Sequence, residues 1–124
     1  MVGTDGSATA ELAVDHAAGL AQVFKARLTV VTAFPRSGSD AQARASADSA
    51  RRRAEKVGAS EVHTTVGGGE PAEVLVEAAK ELEADLLVVG SKGMSSPSRF
   101  LLGSVPDKVS HHAPCDLVIV RTAG

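Results

Sequence analysis

Ala84-Asp85-Leu86-Leu87-Val88-Val89-Gly90-Ser91-Lys92-Gly93, answered after nine intervening residues by Gly103-Ser104-Val105, is the stretch from which the architecture follows. An acidic residue and then an unbroken run of Leu and Val reads as a strand buried on both faces. The run stops at two glycines three apart, and Gly103-Ser104 opens a helical segment. A strand that passes through glycines to a helix start is a physical recipe for holding phosphate. Glycine lets amides approach an anion, and the unpaired amides and dipole of the helix favour negative charge. The same glycines would also serve a plain tight connection between strand and helix. Neither G-x-x-x-x-G-K-[ST] nor G-x-G-x-x-G can be drawn through the stretch.

Downstream, a helix is predicted from about Gly103 to His112 and a strand at Asp116-Leu117-Val118-Ile119-Val120. Upstream, Pro71 suits a first helical turn, and Leu75, Ala78, Ala79 and Leu82 mark that helix's inner face. Before it lie the strand Glu61–Val66 and a flexible connection, Gly67-Gly68-Gly69. Ala43, Ala47, Ala50, Ala54 and Val57 trace another helical stripe closed by Gly58. Arg36 to Asp40 is a polar turn, and Leu28–Phe34 is a β-branched strand stopped by Pro35. Ser7 caps a helix whose face is Ala13, Ala17, Leu20, Ala21 and Phe24. The chain begins with a short strand, Met1-Val2-Gly3-Thr4, ending at Asp5-Gly6-Ser7. Strands alternating with helices predict one α/β domain over residues 1–124, a parallel sheet joined by right-handed crossovers. In such sheets ligands bind beyond the carboxyl ends of the strands, where the strand order reverses.

Composition narrows the function. The chain has 124 residues, a net charge of −2, three Phe, and no Trp or Tyr. Few rings argue against single-strand stacking platforms, and the weak negative charge argues against a phosphate-backbone binder. No nucleic-acid partner is expected. No apolar run is long enough to span a bilayer, and a lone Cys115 cannot form an internal disulfide. The expectation is a reduced, cytoplasmic protein with no membrane attachment.

The spacing G-2x-G-9x-G-S of Gly90, Gly93, Gly103 and Ser104 resembles the nucleotide-binding signature of the universal stress protein family, in its ATP-binding branch. Thr4-Asp5-Gly6-Ser7 and Gly69-Glu70-Pro71-Ala72 resemble two further family landmarks in the same order. The resemblance implies a three-layer α/β/α sandwich with a five-stranded parallel sheet in the order 3-2-1-4-5. That fold is Rossmann-like and similar to the adenine nucleotide alpha hydrolases, with its switch point between the first and fourth strands. Two departures stand out: the first strand is short, and Pro106 replaces the Ser or Thr frequent in relatives.

What the resemblance implies for function is a stress-response sensor or regulator that binds ATP, with Mg2+ as an optional companion. Gly90, Gly93 and the backbone of Gly103, Ser104 and Val105 would cradle the phosphates, with the Ser104 hydroxyl as a donor. Lys92 and Arg99 would offset charge. Asp5 suits an adenine amino group or ribose hydroxyl, although Asp-Gly is also a plain turn. Thr4 lies beside it, and the Ala33 backbone would meet the adenine edge. Leu101 to Pro106 resembles a cyclic-AMP-binding subgroup, making cyclic AMP the alternative ligand. Phosphoryl transfer needs a positioned nucleophile and a strong charge clamp. No base is evident, so no catalytic residue is assigned; slow ATP hydrolysis or autophosphorylation on Ser104 or a loop serine is the enzymatic alternative. Relatives imply a homodimer through the C-terminal strand. His111-His112 matches no zinc spacing, so no metal site is assigned. Arg51-Arg52-Arg53 reads as a solvated helix face, Met94 as loop lining, and Cys115 as a small buried hydrophobe.

Overall fold

Runs of Val, Leu and Thr become strands and the alanine-rich segments between them become helices, in strict alternation. A computed structural model describes residues 1–91 and 103–121. In chain order the elements are β1 (Val2–Gly3), α1 (Ala8–Phe24), β2 (Leu28–Phe34), α2 (Ala41–Val57), β3 (Val62–Gly68), α3 (Pro71–Glu81), β4 (Leu86–Gly90), α4 (Ser104–His112) and β5 (Asp116–Val120). All neighbouring strands are parallel, in the order β3-β2-β1-β4-β5. That is the predicted Rossmann-like sheet.

Two apolar layers sandwich it. Val2, Val30 and Val88 face α1 and α2, packing on Ala13, Ala17, Ala47 and Ala54. Val31, Leu87 and Val89 face the other way, onto Leu75 and Ala79 of α3 and Val109 of α4. Alanine suits these helices because its small side chain brings the backbone close to the pleated surface and favours helix. Central β1 has just two ladder residues, yet the pairing reaches further: Met1 O accepts from Val88 N at 2.8 Å and Thr4 N donates to Val31 O at 3.0 Å.

Several local expectations shift. The β3 strand does not stop at Val66, because Gly67 and Gly68 continue it opposite Ala33 and Phe34. Glycine is required at 67 by packing: a Cβ there would lie 2.8 Å from Val74 Cγ1 on α3. On α1 the buried stripe is Ala13, Val14, Ala17, Ala18 and Ala21, while Phe24 is 71% exposed. Leu82 and Val57 are exposed as well. All three close their helices, where the chain turns away into the next connection and nothing covers the side chain. Gly58, with φ of 129°, ends α2 as predicted.

Candidate functional site

Register brings the predicted rim residues to one level. Gly3 lies opposite Val31 and Val2 opposite Val88, so two residues further along Asp5 stands level with Ala33, and Thr4 with Gly90. This is the C-terminal rim of β2, β1 and β4, at the place where the strand order reverses.

Local chemistry shapes the β1 end. Thr4 Oγ1 accepts from Gly6 N at 3.1 Å and Asp5 Oδ1 accepts from Ser7 N at 2.9 Å, folding the segment into a tight turn. Gly6 adopts φ of 83°, which a side chain would strain. Ser7 then caps α1 through a bond from Ala10 N to its Oγ at 3.2 Å. Asp5 therefore does serve as a turn residue, using one oxygen, and remains exposed at the rim.

Across the switch point, the end of β4 is clasped to the start of α4. Ser91 N donates to Val120 O at 2.7 Å, and Ser91 O accepts from Gly103 N at 2.8 Å. Residues far apart in sequence thus meet: Gly90 ends the strand, and Gly103 sits beside it as the N-cap of the helix. The Gly103 carbonyl takes Asp107 N at 3.1 Å to begin the helix. Pro106 has no N–H, and among the described residues the amides of Ser104 and Val105 meet no acceptor. Both α1 and α4 start at this rim, so two positive helix ends flank the crevice. Lys92, Gly93 and Arg99, with Met94, lie outside the described residues.

Two links were not expected. Lys108 of α4 pairs with Glu70, the residue before Pro71, tying the second landmark to the helix that carries Ser104. Hydrogen bonding to Glu70 holds the Lys108 ammonium above its usual range. Arg53 turns out to be more than a solvated residue: it clamps Asp15 of α1 through Nε and Nη2 at 2.6 and 2.8 Å. Neither pair has a local sequence signature, since each partner stands 38 positions from the other.

Other candidates carry less. Cys115 is half-buried, and burial raises its thiol above the ordinary range, so it stays protonated at neutral pH. His111 and His112 are exposed on α4. Among the described residues no three His, Cys, Asp or Glu side chains gather as a metal-binding group, and no helix is long and apolar enough to cross a membrane. A concavity of about 830 Å³ runs beside α3 along β3 rather than between β1 and β4.

This geometry has close counterparts. The model of the universal stress protein family matches residues 1–121. The chain belongs to that family. A universal stress protein of Mycobacterium tuberculosis is 38% identical over 142 residues, covering 98% of this chain and 94% of its own. A universal stress protein solved in complex with cAMP superposes with a TM-score of 0.85 at 40% identity, covering 98% of this chain and 94% of that one. The universal stress protein of Archaeoglobus fulgidus in complex with dAMP gives 0.81 at 26% identity, over 97% and 94% of the two chains.

Proposed function

We propose that this universal stress protein binds an adenine nucleotide at the rim between β1 and β4, and acts as a nucleotide-responsive stress regulator rather than a catalyst. The observation that carries the reading is the Ser91–Gly103 clasp, which sets the start of α4 beside the end of β4 at the level of Thr4 and Asp5. An anion placed there meets the amides of Ser104 and Val105, the Ser104 hydroxyl and the helix dipole. Gly90, Gly93 and Gly103 keep side chains out of its way, while Lys92 and Arg99 supply charge. Thr4, Asp5 and the Ala33 backbone take the nucleoside. If the ligand is ATP, magnesium rides on its phosphates.

Cyclic AMP is the second reading, favoured by the cAMP complex of the 40%-identical relative. Calorimetric titration with ATP, ADP and cyclic AMP tests both. Saturable binding is expected, and Gly103→Val should lower affinity at least about tenfold by placing a branched side chain at the helix cap. Unchanged affinity in that variant would refute the site; competition between the ligands ranks them. Phosphate release above that of Gly103→Val would instead favour slow hydrolysis. A homodimer formed through β5 completes the proposal.

A further inference from the structure

Glu70 and Lys108 pair across the gap between α3 and α4. Glu70 is the N-cap of α3, yet its side chain makes no capping bond to that helix. It turns instead to the Lys108 ammonium on α4. Lys108 comes one helical turn after Ser104, so the two share a face of α4. Side chains on a helix lean toward its N-terminus, and one turn rises about 5.4 Å, within reach of a lysine's four-carbon stem. The ammonium therefore has two stations: the Glu70 carboxylate, and the open amides at the start of α4.

Exposure and charge decide between the stations. The Lys108 and Glu70 side chains are 53% and 41% exposed, so water screens the pair, and ion pairs of this kind hold weakly. Both residues line the concavity beside α3, which leaves the ammonium open space to move through. A carboxylate offers it one negative charge, whereas a polyphosphate at the helix start offers several. Two more carboxylates stand nearby. Glu73 helps Glu70 to hold the ammonium above its usual range, and Asp107 lies in the first turn of α4. Against these acids Lys108 is the only lysine or arginine that α4 carries.

We propose that Lys108 is a specificity-determining residue that ranks nucleotides by the charge of their phosphates, with Glu70 as its built-in competitor, an assignment that rests on the nucleotide reading of the rim. When a triphosphate occupies the α4 start, the ammonium leaves Glu70 and swings to the phosphates. With a monophosphate or a cyclic phosphate it stays paired. Removing Lys108 then costs the triphosphate most, and neutralising Glu70 favours it.

The test is calorimetry with ATP, AMP and cyclic AMP on wild type, Lys108→Met, Lys108→Arg and Glu70→Gln, at low and physiological salt. Both positions are exposed, and circular dichroism checks the fold. Lys108→Met should lower the ATP-to-AMP affinity ratio roughly fivefold, the size expected of one charge acting on two further phosphates across about a Debye length. It should also flatten the salt dependence of ATP binding, while Lys108→Arg keeps both. Glu70→Gln should raise the ratio. Equal loss of ATP and AMP affinity in Lys108→Met and Glu70→Gln is the mark of a merely structural tie and overturns the assignment. An unchanged ratio, with wild type still binding, overturns it as well. Wild type that binds no nucleotide overturns the rim reading itself.

Discussion

Thr32 is buried at 4% exposure, and its Oγ1 has no partner among the described residues. A buried hydroxyl left unsatisfied costs about 1–3 kcal/mol, whereas valine has the same shape and favours strands. Thr32→Val should therefore raise stability by about 1 kcal/mol, read as a higher urea midpoint at constant m. A lower midpoint would mean the hydroxyl is bonded in solution. At this scale the sequence is legible where chemistry is local: Thr4-Asp5-Gly6-Ser7 announces a turn and a helix cap, and both form. It is silent where the active group is backbone. The Ser91 carbonyl that receives Gly103 N leaves no trace in residue type.

Elements were readable at their centres and misleading at their ends. Helical periodicity picked out Ala13, Ala17, Ala47 and Leu75 because mid-helix residues meet the sheet. Phe24 and Leu82 fit the same periods yet stay exposed, because period says nothing about where the covering strand runs out. Gly67 and Gly68 looked like a linker, but they belong to β3, where glycine makes room for α3.

Charge pairs within these elements carry a definite pH signature. A hydrogen bond from Arg51 holds Asp48 below its usual range, and one from His63 does the same for Glu61. Both carboxylates titrate lower when folded than unfolded. Their contribution is therefore present above the ordinary carboxylate range, near about pH 4, and is lost as pH falls through the folded values. Carboxylate NMR titration should place both groups below normal, with urea midpoints declining on acidification past about pH 4. A normal or raised titration for Asp48 would contradict the Asp48–Arg51 pairing.

At the scale of the molecule, alternating elements foretold a parallel sheet, and the strand order followed from the family. No residue pattern alone specifies that β1 sits in the middle, because its partners come from distant parts of the chain. The two sheet edges differ. In β3, His63, Thr64 and Thr65 are exposed and polar, the usual way of blunting an edge. In β5, Leu117 to Val120 form an apolar run left only half-buried. An open apolar edge is suited to pairing with its own copy about a two-fold axis. Light scattering should give twice the 12.6 kDa chain mass, with β5 amides protected from hydrogen exchange. A monomer across the micromolar range would overturn the proposal.

The contact between Ser91 and Gly103 also bears on how such a protein diversifies. With strand and helix stapled at the foot of the intervening span, that span can lengthen, shorten or change character while the layers beneath keep their registry. Changes there need not reopen the problem of how the chain folds.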